Sequence, residues 1–550
     1  MSRSAARLAT TGVVVTTAMV AVLSGRTDSA FTPTLPEDAQ AAGVLQALHS
    51  LLGLDGLSHD AAAGVGGLAV AAVVLAFLFA LREAWRGNLS MRTVVIVAVA
   101  LHALALLMPL MFSRDVYSYG MYGRILAAHG ANPFAVTPSQ FPMEPVFPYV
   151  SHHWIATSSF YGPAFVLLAA AVGSMAAAPA AFIPIFKIIA AVASLVTMGL
   201  TTAAARRARP ERAVFAATLI GWNPVVILHT VGGGHNDPLV ALTLAGGALL
   251  LLKGRQLAAT VVLTLGALVK ITALLPLAVA VGAVVVRRPR GERLRALGMH
   301  GGAAASLVAV LAGPFMLTAG PTLGMLDLAG VQGWLAPTRL LRVTAIRIGR
   351  ALGEPELGRL VGAGFRILFP LVLLACLAMI ARHLARDPAR VHPRLIVAAV
   401  GWASLIGLMT APLLLPWYSY LVLPVAWILP KVPRNAAVAL AAALAVTEVV
   451  AEPSRAPLAW EAMILGLHYV ASPLALVLLI LVVRDLRRRT RIGPLPGDAD
   501  PLLAEFVVSG KEPGGEIAGD RDPDDRPPAQ VTDRKRVGAH GAEHDDGRSG

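Results

Sequence analysis

Residues 61–81 read AAAGVGGLAVAAVVLAFLFAL, a run without a single charged or hydrogen-bonding side chain, and the run stops at Arg82. A helix packed on the surface of a soluble domain carries an apolar stripe on one face and polar residues on the other. This stretch is apolar all round, and it has the roughly 20 residues that a helix needs to cross a hydrocarbon layer. Similar runs recur outward from it in both directions, at residues 8–23, 93–112, 163–178, 181–205 and onward to residue 483. The chain of 550 residues is 56% hydrophobic and 14% charged, with a mean hydropathy of +0.68. Soluble domains average about 45 to 50% apolar residues, so the body of this chain belongs in a membrane. Disordered, collagen-like and disulfide-scaffold classes are excluded for that body. Cys376 is the single cysteine, so no intramolecular disulfide forms.

The net charge of +14 raises the question of nucleic acid, and the placement of the charges answers it in the negative. Residues 497–550 hold 13 Asp/Glu against 7 Lys/Arg, so the first 496 residues carry +20. Most of that excess sits in short basic clusters between apolar runs, at residues 206–212, 253–255, 287–295, 382–394, 431–434 and 484–491. Short basic loops mark the cytoplasmic side of a membrane protein. Opposite turns are then expected at residues 232–238, near Lys270, at 320–359, at 416–420 and at 452–461. The reading predicts an all-α, polytopic transmembrane protein of about 13 to 15 membrane segments. The alternation fails once. Two apolar segments, 163–178 and 181–205, lie between an external loop and an internal cluster, so either one of them, expected to be the short first one, enters the bilayer without fully crossing it, or the loop assignment fails there.

Three regions follow. Residues 1–60 comprise a basic start, an apolar run expected to be a retained first span rather than a cleaved signal, and an acidic external loop with Asp28, Glu37, Asp38, Asp55 and Asp60. Residues 61–496 form the membrane body, with a large external loop at 113–160. Residues 497–550, rich in Asp, Gly, Pro and Arg, are expected to be a disordered cytoplasmic tail.

Polar residues at helix ends carry whatever chemistry such a chain performs. The densest island is FSRDVYSY, residues 112–119. Tyr117 and Tyr119 beside an acid and a base suit a plain interfacial belt. They equally suit a site in which Asp115 takes a proton from a sugar hydroxyl at the membrane surface. The loop continues through GANPF at 130–134 to Trp154 and Tyr161, aromatic rings that match the apolar faces of sugars. Glu144 with His152 and His153 does not have the spacing of a metal site.

The second island is GWNP at 221–224 followed by GGGHNDP at 232–238, where His235, Asn236 and Asp237 emerge together from a tight turn. A side-chain cap from Asn236 or Asp237 on the next helix is the plainer reading. Lys270 interrupts an apolar stretch; it either snorkels to the interface or holds a phosphate. Arg339 and Arg342 in APTRLLR are similar candidates. Pro412 and Pro416 open a helix end before Trp417, Tyr418 and Tyr420, an aromatic platform or belt.

Taken in order, FSRDVYSY, GANPF, YGP at 161–163, GWNP, GGGHNDP, LVK at 268–270, APTRLL at 336–341 and PWYSY at 416–420 form a set. That set resembles the polyprenol-phosphate-mannose-dependent alpha-(1→6) mannosyltransferases of lipomannan assembly, which are multispanning glycosyltransferases of the GT-C type. The resemblance covers roughly residues 60–485. It implies an enzyme of the plasma membrane that works on the external side, with polyprenyl-phosphate mannose as donor and a glycolipid or mannan as acceptor. It implies that Asp115 is the general base and that inversion at the anomeric carbon converts a beta-linked donor into an alpha-linked product. Arg114, Lys270 and Arg339 are the cations expected to steady the departing phosphate, with Tyr117, Tyr119, Tyr161, His235, Asn236, Asp237, Trp417 and Tyr418 as further binding residues. No cofactor and no metal is required, and membrane lipids are the remaining partners. The set departs from the family pattern in that two apolar segments precede the span leading to Asp115, which implies an N-terminal extension. Two alternatives stay open: a GT-C transferase for another polyprenyl-linked sugar, and a lipid-linked sugar transporter or flippase. The second predicts paired repeats and midplane charges, and the polar islands here sit at helix ends.

Overall fold

The computed structural model describes residues 2–26, 28–36, 43–319, 333, 335–491 and 500–503. Among them all regular structure is helical. The first half runs α1 (Ser2–Ser24), α2 (Val44–Leu51), α3 (His59–Trp85), α4 (Met91–Leu107), α5 (Asp115–His129), α6 (Pro163–Met175), α7 (Pro179–Ala208) and α8 (Ala213–Gly221), with a π-helical segment at Val225–Val231. It continues as α9 (Asp237–Leu252), α10 (Gln256–Val269), α11 (Leu274–Val286) and α12 (Arg293–Ala319). The second half adds α13 (Pro337–Ala351), α14 (Pro355–Arg386), α15 (Pro393–Thr410), the short α16 (Leu423–Ala426), α17 (Lys431–Ala445), α18 (Pro457–Gly466) and α19 (Ser472–Arg491).

Eight helical stretches among the described residues are long and apolar enough to cross a bilayer: Ser4–Ser24, His59–Trp85, Pro179–Ala208, Pro210–Val231, Arg290–Thr318, Pro355–Arg386, Pro393–Thr410 and Pro457–Arg491. Five shorter apolar helices accompany them. The chain is a polytopic membrane protein. α6 has 13 residues, a rise of about 20 Å, short of the roughly 30 Å hydrocarbon layer.

Burial sorts the spans. Pro210–Val231 and Pro393–Thr410 are almost wholly covered by other helices, whereas Arg290–Thr318 and Pro355–Arg386 turn most of their side chains outward. Trp222, Trp402 and Trp427 are fully buried in the central layer. Leu294, Val310, Leu317, Leu360 and Ile367 face outward, as lipid-facing residues do when lipid tails are as apolar as leucine. Two arginines close one end of the bundle: the Arg212 and Arg434 guanidinium groups lie 5.0 and 3.9 Å from the Trp85 ring, and Arg212 donates to the Trp427 carbonyl at 2.9 Å.

The loop expected at 113–160 contains a 15-residue helix, α5. Its composition hides it, since tyrosine, serine and glycine give no apolar period, yet nine of its residues are buried. Packing explains the helix. A Cβ at Gly123 would overlap the Ala169 carbonyl oxygen of α6, so the two backbones approach as closely as small residues permit. Gly130, in the left-handed conformation at φ +59, ends it.

Residues 28–36 are laced across the ends of distant helices. Phe31 accepts a hydrogen bond from the Phe112 amide at 2.8 Å, and Ala30 accepts one from the Ala451 amide at 2.7 Å. One short segment therefore ties together the turn entering α5 and the turn leaving α17. Of the expected tail, only residues 500–503 are described; they pack against the end of α19, with Pro501 accepting from Arg489 at 3.0 Å, and against the middle of α15, where Trp402 donates to the Leu502 carbonyl at 3.4 Å. The remainder, and most of the turn at 320–359 up to residue 334, lies outside the described residues.

Candidate active site

Four of the polar islands meet. Asp115 opens α5, with Ser113 Oγ accepting from its backbone amide at 3.1 Å. The turn 232–236 faces it. Gly234 sits at φ +65, a conformation that side chains with a Cβ rarely adopt, and a Cβ there would lie 2.7 Å from Val116. That close approach sets His235 against the start of α5: its Nδ1 is 3.4 Å from Oδ2 of Asp115. The His235 side chain is fully enclosed, whereas that of Asp115 is 21% exposed. The carboxylate thus has one side on the imidazole and one side open.

The Trp417 ring lies flat on His235, with centroids 3.7 Å apart and planes 18° apart. Tyr418 follows, 6.3 Å from Trp417 and edge-on. The platform expected of Trp417 is accordingly inside the site, 6% exposed, rather than an interfacial belt. Lys270, at the break between α10 and α11, donates to both carboxylate oxygens of Asp237 at 2.9 and 3.1 Å, and its ammonium sits 4.3 Å over the Tyr418 ring. It neither snorkels nor stands alone. Asn236 occupies the position before α9, but its side chain makes no cap. Both polar atoms of its amide and both ring nitrogens of His235 are buried without a hydrogen-bond partner among the described residues.

Burial alone would raise the Asp115 carboxyl; the adjacent His235, the Ser113 hydroxyl and the Lys270 charge outweigh it and hold the group below the usual carboxylate range. Asp115 is therefore an anion, partly open to an approaching molecule.

Tyr119 is fully buried in an aromatic group with Tyr161 (5.0 Å), Phe165 (4.8 Å) and Phe186 (5.3 Å), behind α5. Tyr117 packs on Tyr149 at 5.1 Å, and its hydroxyl has no hydrogen-bond partner among the described residues. One expected cation points elsewhere. The Arg114 guanidinium donates to the Thr34 carbonyl and feels Glu452 and Arg455. Arg339 lies in α13, where its electrostatic neighbours are Arg342 and His468. Glu144 is bound by Arg124 at 3.0 and 3.2 Å and by His129 at 2.7 Å, with no part for His152 or His153. Among the described residues no group of three or more His, Cys, Asp or Glu is placed to hold a metal ion.

Sequence reasoning missed two residues that shape the cluster. Lys187, inside α7, donates to the carbonyls of Leu106, Met108 and Pro109 and so anchors the chain between α4 and Asp115. Glu448 sits in the turn after α17, at φ +55. Burial and then the Asp115 charge push its carboxyl up to about 7. The signal for both was a lone charge within an apolar run, the same signal that singled out Lys270.

In this all-helical membrane protein the polar islands thus converge on a partly open carboxylate and an aromatic floor. Residues 11–287 match the family described as "Alpha-(1->6)-mannopyranosyltransferase, N-terminal domain". The chain is similar to "Alpha-(1->6)-mannopyranosyltransferase A" of Mycobacterium tuberculosis (strain ATCC 25618 / H37Rv), 30% identical over 64% of this chain and 67% of the relative. It is also similar to two proteins of Corynebacterium glutamicum. These are "Alpha-(1->6)-mannopyranosyltransferase A", 31% identical over 32% of this chain and 36% of that one, and "Alpha-(1->6)-mannopyranosyltransferase B", 26% identical over 56% and 54%. The chain thus spans about a third and about half of the length of the two corynebacterial relatives. No solved structure matches. The chain belongs to the alpha-(1->6)-mannopyranosyltransferase family and is a hexosyl-transferring enzyme, which removes the transporter alternative. The match begins at residue 11, so the larger part of α1 and residues 28–60 fall within the family region.

Proposed function

We propose that this protein transfers mannose from polyprenyl-phosphate mannose to an alpha-(1→6) mannan or lipomannan acceptor at the external face of the plasma membrane, with inversion at the anomeric carbon. The observation that carries the reading is the Asp115 carboxylate, 21% exposed and 3.4 Å from an enclosed His235. An anion so placed is ready to receive a proton from a hydroxyl that approaches its open side.

In the proposed step, the acceptor hydroxyl oxygen attacks the anomeric carbon and its proton passes to Asp115. The new carbon–oxygen bond forms on the face opposite the lipid phosphate, which departs with the electron pair of the bond it loses. His235 holds Asp115 ionised beforehand. Lys270 is the cation of the cluster, and its distance of 4.3 Å from the Tyr418 ring keeps it beside the space where the phosphate would leave. Its charge is already matched by Asp237, so its role is to orient and polarise rather than to supply a free positive charge. A lipid monophosphate carries less charge than a nucleotide diphosphate, which fits a site with one such cation.

The test is transfer by membranes containing the full chain, supplied with labelled polyprenyl-phosphate mannose and a short alpha-(1→6) mannoside. The expected product is lengthened by one residue and alpha-linked at the new bond. Transfer from another polyprenyl-linked sugar in place of mannose, or a beta-linked product, contradicts the reading.

A further inference from the structure

We propose that α13 and the π-helical segment Leu467–Ala471 form an anion site on the flank of the bundle, and that it holds the phosphate of an anionic membrane phospholipid. α13 reads PTRLLRVTAIRIGRA, with four arginines and no acidic residue. At 3.6 residues per turn, Arg339, Arg342, Arg347 and Arg350 fall within an arc of about 140°, opposite Leu341, Ala345 and Ile348. A basic amphipathic helix of this kind suits a membrane surface.

Contacts on three sides fix where these arginines stand. Before the helix starts, the Gly333 amide donates to the Pro412 carbonyl at 3.1 Å, and a Cβ on Gly333 would lie 2.7 Å from Leu413. α13 therefore departs from the segment that leads to Trp417. Along its length it packs on α14: a Cβ on Gly349 would lie 2.6 Å from Cα of Gly358, and one on Gly362 would lie 3.0 Å from Cγ of Arg342. α14 is a span that turns most of its side chains outward. On the third side, Nη1 of Arg347 lies 3.3 Å from Nε2 of His468 and donates to the Tyr469 hydroxyl at 3.4 Å. Both partners come from the π-helical segment, and such insertions recur at functional sites.

The donors of this group are not matched. Nε of Arg342 is buried without a hydrogen-bond partner among the described residues. A single nitrogen of Arg347 makes both of its contacts, which leaves its Nε and Nη2 hydrogens to a ligand. Neither arginine forms an ion pair with a carboxylate among the described residues, and Glu356 of the same hairpin is taken by Arg359. Lys270 differs, since Asp237 meets its charge. Guanidinium forks hold the oxygens of a phosphate two at a time. Beside the forks, Ile348, Tyr469 and Val470 are exposed, so the molecule that brings the anion also covers apolar surface. A phospholipid does both, with its headgroup on the arginines and its acyl chains on the neighbouring apolar residues; a soluble anion does only the first. α13 carries Arg342 and Arg347 about 9 and 16 Å along its axis from Ala336, which separates this phosphate from the one assigned to Lys270.

The full chain, purified in detergent, is titrated with phosphatidylglycerol carrying a fluorescent acyl chain, and with phosphatidylcholine of the same chains as the neutral reference. Wild type is expected to bind phosphatidylglycerol saturably and about tenfold or more tightly than phosphatidylcholine. Arg342→Gln combined with Arg347→Gln is expected to raise the phosphatidylglycerol Kd about tenfold or more. Arg287→Gln combined with Arg290→Gln removes equal charge from another exposed basic turn and should leave the Kd within about twofold. The melting temperature without lipid checks the fold of each variant; if the Arg342 and Arg347 double variant melts early, Arg347→Gln alone, at an exposed position, is expected to raise the Kd about threefold or more. Equal affinity for the two lipids, or an equal loss in the two double variants, overturns the proposal. So does displacement of phosphatidylglycerol by inorganic phosphate as effectively as by the unlabelled lipid, which makes the ligand a soluble anion. Displacement by polyprenyl phosphate at about a tenth of the concentration needed for unlabelled phosphatidylglycerol overturns it as well, because the site then belongs to the donor lipid.

Discussion

His235 touches the two halves of the site at once: its Nδ1 stands 3.4 Å from Oδ2 of Asp115 while its ring lies against Trp417 at 3.7 Å between centroids. The indole fixes the plane of the imidazole, and the plane aims a nitrogen at the carboxylate. A residue from the turn before α9 and one from the turn after α15 thereby control the electrostatics of a residue at the start of α5.

Replacing His235 by phenylalanine preserves the stack and removes the ring nitrogen. Asp115 is then left with the burial that raises its carboxyl and without the first group that lowers it. A base with a depressed pKa is ionised above that value and is lost as pH falls through it. The acid limb of kcat/KM in His235→Phe is expected to move upward relative to wild type. A limb that does not move contradicts the coupling.

The Lys270–Asp237 pair is buried on both sides, at 4% and 7% side-chain exposure. Lys270→Met leaves a carboxylate with no partner in a dry site and is expected to cost about 3 to 5 kcal/mol in thermal or denaturant unfolding. Lys270→Met combined with Asp237→Leu removes both charges and is expected to recover most of that stability, though not the activity. Equal stability of Lys270→Met and wild type contradicts the pairing.

Gly234→Ala places a Cβ 2.7 Å from Val116 at a backbone φ of +65. The conformational cost alone is about 1 to 2 kcal/mol, and relief of the overlap separates the His235 turn from α5. Both melting temperature and kcat are expected to fall. Gly199→Ala, with open space around its Cβ in α7, is the matched control and should change neither. Normal kcat in Gly234→Ala contradicts the close approach.

Glu448 gives a pH dependence of opposite sign to that of Asp115. Its carboxyl is raised from 4.5 to about 7 in the folded protein by burial and then by Asp115. The folded state therefore binds its proton more tightly than the unfolded state, and the stabilisation present below pH 4.5 is lost as pH rises to about 7. Wild-type melting temperature should decline across that window relative to Glu448→Gln, in which the group no longer titrates. Parallel profiles in the two proteins contradict the assignment.

The membrane architecture was legible because composition and unbroken apolar runs answer directly to the thickness of a bilayer, as at residues 61–81. The positions of Asp115, His235 to Asp237, Lys270, Trp417 and Tyr418 were legible as polar islands at helix ends, and they do converge. What the chain could not display was pairing. Lys270 looks unaccompanied in sequence because Asp237 lies 33 positions away, and Arg114 looks available until the Thr34 carbonyl claims it. α5 read as a loop because its helix is held by close approach to α6 rather than by an apolar period. Glu448 escaped because its importance lies in a backbone angle and in neighbours more than 300 residues distant in the chain, Asp115 above all.

The central claim is that Asp115 receives the proton of the acceptor hydroxyl. Single-turnover transfer by Asp115→Asn, with labelled polyprenyl-phosphate mannose pre-bound and alpha-(1→6) mannoside added at saturation, tests it with the shape of the side chain conserved. The rate of the transfer step is expected to fall about 10² to 10⁴-fold, with donor and acceptor binding near wild type; a transfer rate equal to that of the wild type would contradict the account.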